Sequence, residues 1–179
     1  MTQIATTYAQ ALYDPAKDEQ LTEAICTQLQ ALQAGFAAEP DFVRLLSSHS
    51  LPKEQRCGIL EDSFRGKVHT YVLSFLKILV EKGYIRHFAE CCKAYKAFYN
   101  QDHGILPVQA VTAAKLTDDH ARRLTEKLEK LTGKTVELEN RVDPAVMGGV
   151  RLDYDGKRVD GTVKNRLDAI GALLKNTVL

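Results

Sequence analysis

The feature that most constrains this fold is a change of period near residue 100. Up to Tyr99, apolar side chains recur at helical spacing, whereas beyond Gly104 they alternate. In the first half, Ile4, Tyr8, Ala11 and Leu12 predict a short helix that Asp14-Pro15 stops, with small Ala5 and Ala9 on its other side. Leu21, Ile25, Leu29, Leu32 and Phe36 predict a second helix over 17–38, ended by Pro40. A short helix follows over 41–48. Pro52 and Glu54 suit the first turn of a fourth, which carries Ile59, Leu60 and Phe64 inward and closes at Gly66. The fifth, over 68–82, is apolar on more than one face, so it is either the centre of a bundle or in need of a contact from outside the chain. Beyond Gly83, residues 85–99 place Phe88, Cys91, Cys92, Tyr95 and Phe98 on an inner face. The expectation is a six-helix bundle over 1–104.

The second half reads differently. Leu106, Val108, Ala110 and Thr112 alternate as a strand, with Pro107 favouring an edge or an early position. Thr117 caps a helix with Ala121, Leu124, Leu128 and Leu131 on its buried stripe, and Gly133 ends it. Val136, Leu138 and Val142 alternate with charged residues in a half-exposed strand. Asp155-Gly156 then joins 150–154 to 157–159 as a two-residue hairpin turn, and Thr162 opens a last helix bearing Val163, Leu167, Ile170 and Leu174. Residues 105–179 therefore form a small α/β domain, helix on sheet, and the fold class is mostly α in two domains.

Composition excludes more than it proposes. Lys plus Arg number 24 against 23 Asp plus Glu, so no overall field draws the chain to nucleic acid or to an anionic membrane. No apolar run reaches the ~20 residues of a bilayer span. The start lacks an export signal, which makes the cytoplasm the expected compartment and Cys26, Cys57, Cys91 and Cys92 thiols. Gly133-Lys134-Thr135 resembles the end of a phosphate loop, but that loop needs glycine where Leu128 stands. His49, His69, His87, His103 and His120 are scattered, with no metal-ligand spacing. Asp153, Asp155 and Asp160 have roles in turns and corners that account for them without a metal. No catalytic residue, cofactor or metal is expected, and a stable homo-oligomer is not expected either.

The stretch Asp143-Pro-Ala-Val146-Met-Gly148-Gly149, then Asp160-Gly161-Thr162 and Arg166-Leu167, resembles the C-terminal motif of the delta subunit of F-type ATP synthases, the family of the mitochondrial oligomycin-sensitivity-conferring protein. Thr162 stands where that family usually has Ser and keeps the capping oxygen. Tyr8-Ala9-x-Ala11-Leu12 is similar to the family's first-helix signature. Residues 79–85 resemble its link between the fifth and sixth helices, with Lys82 and Tyr84 where the family has Asn and Arg.

The resemblance implies a non-catalytic stator subunit. It would join the top of the catalytic head to the peripheral stalk, so that rotary proton transport is coupled to ATP synthesis. It further implies that the first domain grips N-terminal helices of alpha subunits. The groove for them would lie between the first and fifth helices, at Ala5, Tyr8, Ala9, Leu12, Val72, Phe75, Leu76 and Leu79. The second domain would hold the C-terminal ends of b subunits, and the protein would lie on the cytoplasmic face of a bacterial plasma membrane. Asp143, Gly148, Gly149, Asp160, Gly161, Thr162, Arg166 and Leu167 have a structural role in this reading. The competing reading is a free-standing helical adaptor unrelated to ATP synthase.

Overall fold

Hydrophobic periodicity becomes packing in two places. The computed structural model describes residues 3–48 and 51–165. Arg166, Leu167, Ile170 and Leu174 of the expected last helix, and His49, lie outside the described residues. The chain divides into two compact units, Met1–Tyr99 and Asn100–Leu179, a few residues before the 104/105 boundary that periodicity implies. The first is helical; the second carries a four-stranded sheet, so the protein is mostly helical with a small sheet toward its C-terminal end.

The first unit contains α1 (Gln3–Asp18), α2 (Thr22–Ala38), α3 (Pro40–Ser47), α4 (Lys53–Phe64), α5 (Thr70–Glu81) and α6 (Phe88–Asp102), the last running through the division between the units. A single 3-10 turn, Ile85–His87, leads into α6. Asp14-Pro15 does not stop α1, contrary to the sequence reading. Pro15 removes one N–H from the ladder, but Leu12, Tyr13 and Ala16 on either side are buried, and that packing outweighs one lost hydrogen bond. The chain instead turns at Gln20, whose φ of 59° breaks the helix, and α2 begins at Thr22 rather than Lys17.

One continuous core fills this unit. Ala5, Ala9, Ile25, Leu46, Leu60, Val72, Leu76, Leu79 and Val80 are fully enclosed. At ~1.5–3 kcal/mol for each large side chain removed from water, this cluster is the main source of stability here. The question left open for α5 is answered in favour of the bundle centre over most of its surface: Val72, Phe75, Leu76, Leu79 and Val80 all turn inward. Burial also holds the Cys91 thiol up at about 11 and the Cys92 thiol at about 12, so both are inert neutral groups.

In the second unit, β1 (Ile105–Thr112) leads through α7 (Asp118–Thr132) to β2 (Thr135–Val142), which pairs parallel to β1. Strand β3 (Val150–Tyr154) returns antiparallel on the other side of β1, and β4 (Lys157–Asp160) completes the order β2-β1-β3-β4. Strand β1 is therefore central, although it holds Pro107. Thr135 N–H donates to Gly104 O, which fixes the even-numbered residues of β1 toward β2 and Pro107 toward β3. Pairing with β3 begins only at Val108, so the missing N–H of Pro107 costs no rung.

Candidate functional site

Two sets of residues were singled out by sequence, and they sit in different surroundings. Around the first, α1 and α5 lie side by side and antiparallel. Tyr8 meets Tyr84, just beyond the end of α5, with ring centroids 5.8 Å apart and planes tilted by 60°, while the Tyr71 hydroxyl in the first turn of α5 donates to Glu19 just beyond the end of α1. Ala5, Ala9, Leu12, Val72, Phe75, Leu76 and Leu79 are all buried in the core, and Tyr8 is half-buried against it. All eight thus belong to the one core of this unit or pack against it.

What this seam offers outward is a second set of residues. On α1, Ile4, Tyr8 and Ala11 follow one another at turn spacing and remain at least partly accessible. On α5, Ile78 lies two turns beyond Tyr71 on the same face of the helix, and it is 43% exposed. Ser74 lies between them and is exposed. Ala11 and Ser74 are small, so each leaves a low point on the accessible face of its helix. Ile78 is absent from the residues that the family resemblance implied. The signal for it was present: it shares a helix face with Tyr71, opposite Val72 and Leu76, once the inner face of α5 is known.

The second set closes a corner of the sheet unit. Asp143 Oδ1 accepts from Ala145 N–H at 3.0 Å, and its own N–H donates to Thr112 O at 2.9 Å. Val163 N–H donates to Gly148 O and Gly161 N–H to Val150 O, both at 3.0 Å. Gly149 has φ of 82°, and a Cβ there would stand 2.5 Å from the carbonyl oxygen of Gly161. Only glycine fits. Asp160 accepts the Thr162 N–H at 2.9 Å, and Thr162 Oγ1 accepts from Asn165 N–H at 3.2 Å, capping the helix that starts there. Hydrogen bonds from the Thr162 hydroxyl and amide hold the Asp160 carboxyl below the usual range. Each of these hydrogen bonds involves a backbone amide or carbonyl, so together they hold the shape of the corner.

Asp153 accepts from both Arg158, at 2.7 Å, and Arg151, at 3.3 Å, and the Arg158 hydrogen bond is the main reason its carboxyl is also lowered. Among the described residues, no three His, Cys, Asp or Glu side chains converge in a way that could hold a metal. No described helix is long and apolar enough to cross a membrane.

A family model described as ATP synthase delta (OSCP) subunit matches residues 4–174. The chain belongs to the ATP synthase delta (OSCP) subunit family. Relatives named ATP synthase subunit delta include one from Lactobacillus delbrueckii subsp. bulgaricus, 34% identical over 174 residues and covering 95% of this chain and 94% of the relative. Another, from Alkaliphilus oremlandii, is 30% identical over 164 residues, covering 92% and 91%. A chain in the cryo-EM structure of the Toxoplasma gondii mitochondrial ATP synthase hexamer has the same fold, with a TM-score of 0.77 over 97% of this chain and 98% of that one at 19% identity. As a member of the delta (OSCP) family this chain is a non-catalytic stator subunit of ATP synthase, in the link between catalytic head and peripheral stalk. The reading as an adaptor unrelated to ATP synthase falls with that membership.

Proposed function

We propose that the first unit, a bundle of six helices, grips N-terminal helices of alpha subunits, and that the second unit holds the C-terminal ends of b subunits. The protein would then lie peripherally on the cytoplasmic face of a bacterial plasma membrane. The observation that carries the alpha-subunit assignment is the rim of the α1–α5 seam. There Ile78 keeps 43% of its surface exposed, on a helix whose other large apolar residues are mostly enclosed, and Tyr8 of α1 is only half-buried. An amphipathic helix laid along that rim would cover Ile4, Tyr8 and Ile78, while Ala5, Ala9, Leu12, Val72, Phe75, Leu76 and Leu79 form the rigid floor beneath. A stator needs such a floor, because a site built on packed helices transmits load without rearranging.

Titration calorimetry with an alpha-subunit N-terminal peptide tests this. Ile78→Glu should weaken binding at least tenfold while circular dichroism and unfolding midpoint stay unchanged; unaltered affinity would exclude the α1–α5 rim. For the second unit, cross-linking between β-sheet residues and the C-terminal ends of b subunits in the assembled enzyme is expected. Links from those ends to the helical unit alone would reverse the assignment.

A further inference from the structure

Side chains that cap helices in this chain do not all use the same kind of acceptor. Thr117 caps α7 and Thr162 caps the helix that follows the corner, each through a hydroxyl oxygen that keeps one form across the physiological pH range. Helix α5 begins differently. His69 stands at its N-cap in extended backbone, with φ of −63° and ψ of 148°, and its ring nitrogen Nδ1 accepts the Tyr71 N–H at 3.3 Å. That amide is one of those a helix leaves without an internal partner. Nδ1 can accept only in the neutral ring whose proton is on Nε2, because in imidazolium both nitrogens donate. Protonation sets a donor and a full positive charge against an amide donor, at the end of α5 where the helix dipole is also positive. Both changes oppose the cap, and imidazole is the side chain whose charge ordinarily changes between about pH 5 and 8.

The turn held in this way ties three elements together. The His69 backbone N–H donates to Gln28 Oε1 of α2 at 2.8 Å, the His69 and Tyr71 rings meet edge-on with centroids 5.0 Å apart, and the Tyr71 hydroxyl donates to Glu19 in the turn between α1 and α2. The groups around half-buried His69 are therefore the neutral Gln28 amide from α2 and the ring and N–H of Tyr71 from α5. Glu19 reaches only the hydroxyl at the far end of Tyr71, and exposed Lys67 lies two residues back along the chain. Among the described residues no carboxylate pairs with the His69 ring, unlike His87, which has Glu90 at 3.7 Å. No anion is thus in place to hold a protonated ring where the neutral one stands. We propose that His69 is a pH-sensitive latch on the first turn of α5. Neutral, it closes the turn; protonated, it releases the Tyr71 amide and loosens the tie among α2, α5 and the α1–α2 turn. The cap is complete at the upper end of the imidazole range and is lost as the pH falls. Tyr71 shares its face of α5 with Ile78, so the turn that loosens lies at one end of the exposed face of that helix.

The test is amide exchange by NMR in the full-length protein at about pH 8 and about pH 5, read as protection factors so that the intrinsic pH dependence of exchange cancels. Protection of the Tyr71 amide should fall about fivefold at the lower pH, the usual worth of one helix cap, while that of enclosed Leu76 and Leu79 holds. His69→Asp supplies a carboxylate that caps at both pH values and should keep Tyr71 protection constant. His69→Ala should show the reduced protection at both. Equal protection of Tyr71 in the unaltered protein at the two pH values would overturn the proposal. So would a fall that persists in His69→Asp, which assigns the titration to another group, or full Tyr71 protection in His69→Ala at the higher pH.

Discussion

The two units hold themselves together by different means. In the helical unit, one cluster of large apolar side chains runs through α1 to α6, and the polar links around it, such as Lys77 to Glu61 at 2.9 Å, lie near the surface. In the sheet unit the buried cluster is small: Leu106, Val108 and Val136, with Leu128, Leu138, Leu152 and Tyr154 partly covered. Order there depends heavily on backbone geometry and local hydrogen bonds, at Gly149, Asp160, Thr162 and the Asn140 amide, which donates to Ala110 O and Thr112 Oγ1 and accepts from Leu116 N–H. A unit stabilised by volume tolerates polar changes at its rim and is sensitive in its interior. A unit stabilised by geometry is sensitive at particular backbone positions, some of them exposed.

The strongest way to break that contrast is inside the helices. Leu79→Ala removes a fully enclosed side chain and should cost about 3–5 kcal/mol, read by urea unfolding of the helical signal, with amide exchange in β1 and β3 unaffected. Equal loss of protection in both units would show that they are one cooperative body. Next comes Gly149→Ala, which drives a Cβ into the Gly161 carbonyl and should cost about 3 kcal/mol in the sheet unit. Gly133→Ala, equally left-handed with φ of 67° but in open space, should cost only about 1 kcal/mol. If the two glycine variants behaved alike, close approach would not be what distinguishes Gly149.

A smaller effect separates hydrogen bonding from shape. Thr162→Ala should lose about 1 kcal/mol and Thr162→Ser nearly nothing, measured as a shift in the unfolding midpoint of the sheet unit. The smallest effect is in pH. Asp160 and Asp153 have folded pKa values below their unfolded ones, through the Thr162 hydrogen bonds and chiefly the Arg158 hydrogen bond respectively. Their stabilisation is complete above the unfolded value, near pH 4, and is lost as pH falls through the folded values. Amide exchange in β3 and β4 should therefore accelerate below about pH 4, and Asp153→Asn should flatten that acceleration.

Much of this was legible from local pattern. The Asp155-Gly156 turn, with φ of 47° and 70°, and the Thr117 and Gly133 ends of α7 were readable because each is decided by the residues themselves. The corner motif was readable for the same reason: a short acceptor at Asp160 and glycines at 148, 149 and 161 have few other uses. What was not legible was which side of an element another would cover. Pro15 looked like a stop because its chemistry is local, while the burial of Leu12, Tyr13 and Ala16 that carries α1 past it is not. Pro107 pointed to an edge or an early position, and it stands early in a central strand; which of the two applied depended on where β3 ends, and nothing in its neighbourhood reveals that.

The same divide separates the exposed face of α5 from a groove along α2. The apolar character of α5 and its pairing with α1 were accessible from sequence and family resemblance, but Leu76 and Leu79, the residues most prominent there, are enclosed, and Ile78 faces out. The groove along α2 left only a faint trace, Ala31 and Gly35 one turn apart, because its floor joins Phe36, Phe42 and Phe64 from three helices. Periodicity, caps and turn residues act over a few positions, and from them the elements, most of their ends and the family could be read. Which apolar residues are core and which stay exposed was settled by packing, because burial depends on what distant segments bring to each face.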